Sequence, residues 1–186
     1  PEIRKAVLTA VNPSLWASDA FGVYGHVSKS LFPNAMFTPA KALVFPADMA
    51  AAKAAIAKRA PVELTIGLYS ANPSYGRIAD LLISQLALIG VNATASVMPP
   101  GGAYAMKGDA KAPDLLLIIA SPDAAHPDNQ AKAFLTTGAP LNLYGRSLPQ
   151  ADAIVDEAAK LTEGARRNEL YERAGKMYFE GGVAIP

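Results

Sequence analysis

Between residues 121 and 129 the sequence sets Ser121, Asp123, His126, Asp128 and Asn129 within nine positions. These residue types can attack a carbonyl, move a proton, ligate a metal or pair with a charged ligand. Ser121, Asp123 and His126 are the types of a hydrolytic triad. A triad needs a set three-dimensional geometry that six consecutive loop residues seldom supply, and no G-x-S-x-G accompanies them. A metal site would recruit His126 with Asp123, Asp128 or His26. Neither is the expected use: no catalytic residue, metal ligand or cofactor is assigned, and the chain is not read as an enzyme. Recognition remains. Pro122 fixes φ just before Asp123 and removes a backbone donor, which helps present a carboxylate outward. The bland reading of Asp123 is a cap on the turn that follows.

This polar run hangs from the end of "DLLLIIA", residues 114–120, whose unbroken hydrophobicity predicts a strand buried on both faces. Earlier in the chain, "VELTIGLY" (62–69) alternates Val62, Leu64, Ile66 and Leu68 on one face, a strand signature. Asn72 and Pro73 open a helix whose stripe is Ile78, Leu81, Leu82, Leu86 and Ile89, closed by Gly90. "VNATASVM" is a second strand and "PPGGAYAMKGDAKAP" a loop, with room for one helical turn. Residues 62–120 therefore read strand–helix–strand–connection–strand, with a parallel first crossover. Asp48 caps an alanine-rich helix, "MAAAKAAIAKR". A short helix is expected over 128–137, then two more split at Thr162–Gly164. Ile154, Val155, Ala158 and Leu161 stripe the first; Leu170, Ala174, Met177 and Tyr178 stripe the second. Tyr171, Met177 and Tyr178 read as packing, Arg166 and Arg167 as a solvated helix face.

Residues 12–47 hold four prolines and little periodicity, and read as a loop-rich segment leaning on parts outside this chain. The chain opens "PEIRKAVLTAV" at helical spacing and stops at "GGVAIP", where Val183–Ile185 resemble the start of a strand. It is expected to be a piece of a longer protein, with any targeting signal elsewhere.

Composition narrows the classes. With 51% hydrophobic and 18% charged residues the chain is globular, not disordered. A net charge of +1 without a basic block leaves no electrostatic footprint for nucleic acid. The absence of cysteine excludes disulfides and thiolate chemistry.

The collinear order of these segments resembles the second lobe of the family 5 extracellular solute-binding proteins, the dipeptide, oligopeptide and nickel receptors of ABC importers. "IRKAVLTAVNPSLW" is similar to the family's Arg-x-Ala helix, and "DMAAAKAAIAKRA" to its Asp-Pro-Glu-Lys-Ala helix. Residues 62–98 follow its strand, helix ending in Ile-Gly, and strand. "DLLLIIASPDAAHPDN" fits its Asp-Pro-Asp-Asn segment, and 142–186 its closing helices. The resemblance implies a single α/β lobe over 1–186, one lobe of a periplasmic-binding-protein type II-like fold, with a mixed, largely parallel sheet flanked by helices. It implies a monomer that binds a peptide or other small solute and delivers it to an ABC permease outside the cytoplasm, periplasmic or lipid-anchored. It places the ligand at Ala120, Ser121, Asp123, His126, Asn142, Tyr144 and Arg146, with Asp123 pairing a free α-amino group. Three positions depart from the family pattern: Ala120 and Arg146 stand where an aromatic is common, and His126 where Asp or Tyr is frequent. Arg146 would suit a carboxylate or phosphate. The alternative is a solute-binding-like lobe of a regulatory or cell-envelope protein that no longer serves a transporter.

Overall fold

The computed structural model describes residues 2–33, 36–44, 48–59, 61–109, 111–118 and 124–186. The elements in order are α1 (Glu2–Ala10), α2 (Pro13–Phe21), α3 (Met49–Ala57), β1 (Val62–Leu68), α4 (Pro73–Leu88), β2 (Val91–Val97), α5 (Gly102–Ala105), β3 (Leu115–Leu117), α6 (Pro127–Gln130), α7 (Pro149–Ala158) and α8 (Ala165–Glu180). They group into two compact units, Pro1–Val27 with Phe45–Ile119, and Ser28–Val44 with Ala120–Pro186. No helix among the described residues is long and apolar enough to cross a membrane.

The first unit is built on a parallel sheet of order β2-β1-β3. β1 pairs with β2 from Val62↔Val91 to Leu68↔Val97 and with β3 from Ile66↔Leu115 to Leu68↔Leu117. Asn72 caps α4 by accepting from the Ser74 N–H at 2.9 Å, and Pro73 supplies the first-turn φ without wasting a donor. α4 buries Tyr75, Ala79, Leu82, Gln85 and Leu86, so the expected stripe is rotated slightly toward Tyr75 and Ala79, with Ile78 and Leu81 half-buried. Gly90 ends it at φ +86°, where a side chain would be strained. Gln85 is buried because its amide serves α2: its oxygen accepts from Asn12 N–H and Trp16 Nε1–H, at 3.1 and 3.2 Å.

Two strand expectations are corrected. β3 is shorter than 114–120, and Leu115 to Ile118 are half-buried rather than buried on both faces. The reason is position: β3 is an edge strand, bonded to β1 alone among the described residues. Val183–Ile185 form no strand. The backbone donors of Gly181, Gly182 and Val183 are bonded to Met177, Phe179 and Tyr178 carbonyls, with Gly182 at φ +66°. That pattern is a helix cap, and it turns the chain off α8.

The second unit packs α7 against α8 and lays residues 28–33 and 36–44 against α8. Its centre is Phe32, fully buried against Tyr171 (ring centroids 5.6 Å, edge-on) and Phe37 (5.7 Å). Gly175 makes room: a Cβ there would lie 3.0 Å from the Phe32 ring. Leu31, Met36 and Phe37 are buried beside it. The stretch 12–47 is thus not loop throughout, since it contains α2, and 28–44 supplies core side chains that its weak periodicity conceals. Glu172 of α8 holds that stretch by its backbone, accepting from the Ala40 and Lys41 N–H groups at 2.9 Å each. Tyr178 donates its hydroxyl to Asp152 at 2.6 Å, tying α8 to α7.

Phe32→Ala should therefore destabilise the chain by about 3–5 kcal/mol, as for other fully buried rings. Urea unfolding monitored by circular dichroism is the check. A loss below about 1 kcal/mol would show that 28–44 lies on the core rather than in it.

Candidate functional site

At the carboxyl end of the sheet the ladders run one residue beyond the strands. Tyr69 N–H donates to the Leu117 carbonyl at 3.1 Å and Met98 N–H to the Leu68 carbonyl at 2.9 Å. Ligands of open α/β sheets gather beyond this end. Two aromatics stand there. Tyr69 directly follows β1, and Tyr104 is presented by α5 after the turn at Gly101, whose φ is +72°. Their rings meet edge-on at 6.0 Å and their hydroxyls lie 3.3 Å apart. The bond to Tyr69 raises the Tyr104 hydroxyl above its ordinary range, with burial adding to it. Tyr104 is 42% exposed, so the pair offers an apolar face and a polar rim to solvent. The sequence reading passed over both. Their signal was position, one at a strand's last residue and one beside a double glycine.

Ala120, Ser121 and Asp123 lie outside the described residues. The chain re-enters at a polar centre in the second unit. His126 precedes α6, and its Nδ1 is 3.2 Å from the Asp128 N–H. Its Nε2 is 3.2 Å from Nη1 of Arg167. One neutral imidazole supplies a single acceptor nitrogen, so two donors compete for it. The guanidinium contact is charge-assisted and the stronger. Tyr171 stands edge-on to the imidazole at 6.4 Å. Burial, with the Asp128 carboxylate adding and Arg167 opposing, pushes the Tyr171 hydroxyl up to about 12. Among the described residues, Gln130 Oε1, Arg167 Nε and Asn168 Oδ1 are buried without a hydrogen-bond partner, and the buried Tyr171 hydroxyl faces the Asp128 carboxylate.

Arg167 corrects the expectation of a solvated face. Arg166 is exposed and pairs with Glu169 at 3.0 Å and Glu157 at 3.5 Å, whereas Arg167 is 6% exposed. Its carboxylate contact is Glu163 at 3.8 Å, itself largely exposed. The helical period places 167 with Leu170, Tyr171 and Ala174 on the buried face, a signal the charge masked.

Asn142, Tyr144 and Arg146 share one turn. Asn142 is buried and donates to the Leu135, Thr136 and Arg146 carbonyls at 3.4, 3.1 and 2.7 Å, while its oxygen accepts from Arg146 N–H at 3.0 Å. Its hydrogen-bonding capacity is taken up by the turn. Tyr144 and Arg146 are half-buried around it. No group of three His, Asp or Glu side chains among the described residues converges as a metal site would require.

No family model and no curated protein matches the sequence. Solved structures do. AppA from Clostridium difficile superposes on 98% of the chain at TM-score 0.83 and 20% identity, over 39% of its own length. The ABC transporter-associated periplasmic binding protein DppA from Helicobacter pylori, in complex with the peptide STSA, covers 98% at TM-score 0.82 and 18% identity, over 37% of its length. NikA from Staphylococcus aureus, in complex with Ni(L-His)2, covers 98% at TM-score 0.81 and 13% identity, over 40% of its length. The fold is shared with one part of each of these binding proteins. This chain spans well under half the length of the substrate-binding proteins it matches. The likeness first read from collinear segments holds at the level of fold, with α/β architecture and a parallel sheet flanked by helices.

Two outcomes follow for the polar centre. Arg167→Ala removes a buried stem and leaves His126 without its guanidinium, so a loss of about 2–3 kcal/mol is expected. Arg166→Ala should leave the urea midpoint unchanged, and equal effects at the two positions would contradict the assignment. For Tyr171 the folded hydroxyl keeps its proton to about 12, while the unfolded chain loses it near pH ~10. This group's contribution is therefore intact below pH ~10 and is lost as pH rises through about 12. Tyr171→Phe should make the alkaline fall in stability shallower. An alkaline profile identical to that of the parent would refute this.

Proposed function

We propose that this chain is a ligand-binding lobe of an extracytoplasmic solute-binding protein, one that captures a peptide or another small solute and hands it to an ABC permease. The observation that carries the reading is the superposition of 98% of the chain on AppA, DppA and NikA at TM-scores of 0.81 to 0.83. The exposed Tyr69–Tyr104 pair at the sheet's carboxyl end supports it, because such an edge is where a solute is met in open α/β folds. The function is reversible binding, not catalysis, and the working protein is a monomer with no nucleic-acid partner.

Within the lobe, Ala120, Ser121 and Asp123 form the ligand-facing loop after β3, and Tyr144 and Arg146 extend the surface. Asp123 takes a cationic group of the solute and Arg146 an anionic one. His126 and Asn142 serve the same surface by fixing the chain on either side. An ammonium withdrawn from water needs a well-placed carboxylate, since desolvation is costly. One lobe supplies only part of the desolvated contacts, so this chain alone binds weakly.

Native mass spectrometry of the longer protein carrying this chain, isolated without refolding, should show a bound small solute. Emergence empty, with no thermal shift from a library of di- to tetrapeptides, would overturn the reading. Where the solute found carries an ammonium, Asp123→Asn should cost about 2–4 kcal/mol of affinity, the scale of a broken desolvated charge pair. Its melting temperature should hold; unchanged affinity with a lowered melting temperature would return Asp123 to the role of a turn cap.

A further inference from the structure

The second unit carries a groove of about 1070 Å³ between residues 38–44 and the outer face of α8. Its floor is apolar where Leu43, Val44 and Phe179 line it, and Val44 is 81% exposed. Three acids also line it, and each is already engaged. Glu172 is held by the Ala40 and Lys41 N–H groups, Glu169 by Arg166 at 3.0 Å, and Glu180 by Lys176 at 3.7 Å. Among the described residues, Lys29, Lys41 and Arg173 on the same walls have no carboxylate within ion-pair distance. The groove thus combines one exposed apolar side chain, Val44, and the half-buried Leu43 with three uncommitted positive charges.

We propose that this groove seats an acidic, extended segment of a partner protein, independently of the solute site. From Ala165 to Glu180 the α8 wall is roughly 22 Å long at about 1.5 Å per residue. That length takes about seven residues of extended chain at roughly 3.3 Å each. Alternating side chains of such a segment point to opposite sides, so apolar residues can meet Val44 and Leu43 while carboxylates reach the three cations. Opposite charge on the two surfaces also speeds encounter and rejects basic partners. A single-stranded nucleic acid fits less well, because no exposed aromatic ring lines the groove for bases to stack on.

The test is fluorescence anisotropy on the 186-residue chain with three labelled seven-residue peptides, alternating Asp/Leu, Asn/Leu and Lys/Leu. Saturable binding of the Asp/Leu peptide is expected, weakened by added salt, with the other two bound at least about tenfold more weakly. The triple variant Lys29→Gln/Lys41→Gln/Arg173→Gln keeps most of the stem packing and should lose about tenfold or more in affinity for Asp/Leu. A control triple, Lys53→Gln/Lys58→Gln/Lys160→Gln, removes the same net charge away from the groove and should leave affinity unchanged. Thermal melting of both triples identifies any folding defect, and the single variant Arg173→Gln then carries the comparison. Absence of saturable Asp/Leu binding, equal binding of Asn/Leu, equal losses in the two triples, or tighter binding of an oligonucleotide of matching charge would each overturn the proposal.

Discussion

Of the described strands, β1 alone is bonded along both edges, and the geometry of the sheet's carboxyl end descends from that double pairing. Its register with β2 runs the full seven residues, and its register with β3 covers three. The shorter pairing has its own lock. Asp114 accepts from both the backbone N–H and the hydroxyl of Thr65, at 2.8 and 2.9 Å, and its own N–H donates to that hydroxyl at 3.1 Å. A one-residue slip would turn every side chain to the other face. This reciprocal clasp fixes the register just before β3 begins. Gly67 lets Met98 and Pro113 close over β1, since a Cβ there would lie 2.7 Å from each. Tyr69 is placed by the same constraint.

In the second unit the corresponding role belongs to α8. One face carries Leu170, Tyr171, Ala174 and Tyr178 into the core, and the opposite face forms a wall of the groove. Glu172 sits between these duties, spending its carboxylate on two backbone donors of the 28–44 segment. The wall opposite α8 therefore exists because α8 holds it. Exposed ion pairs such as Arg166–Glu169 contribute little stability by comparison.

Much of this was legible in the sequence, and the failures share a cause. Period and punctuation found β1, α4, β2, α7 and α8, because Asn-Pro, Gly90 and the Thr162–Gly164 break act locally. Depth was harder. Leu115 to Leu117 read as a central strand because hydrophobicity reports how apolar a segment is, not how many neighbours it gains. Arg167 read as solvated because charge outweighs helical position in any such reading, although its spacing from Leu170 and Tyr171 put it inside. Phe32, Met36 and Phe37 were invisible because core residues on irregular backbone have no period. His126 was singled out as a polar loop residue and Asn142 through the family resemblance, but a sequence cannot say whether such a side chain faces outward or back into its own turn. Tyr69 and Tyr104, drawn together across 35 positions, required the fold.

The polar centre around His126 shows why these two roles are hard to separate. A buried guanidinium ordinarily calls for a carboxylate, because an uncompensated charge in the interior is costly. Arg167 instead faces an imidazole nitrogen at 3.2 Å and an exposed glutamate at 3.8 Å, and among the described residues its Nε has no partner. Asp128 is near enough to raise the Tyr171 hydroxyl, yet its ion pair is with Lys132 at 3.1 Å and not with Arg167. An assembly selected only for stability would pair those groups with each other or replace them by hydrocarbon, which is often neutral or better. What the arrangement achieves is placement. Arg167 is rigid on a long helix, the guanidinium fork directs one bond to His126, and His126 immediately precedes the first turn of α6.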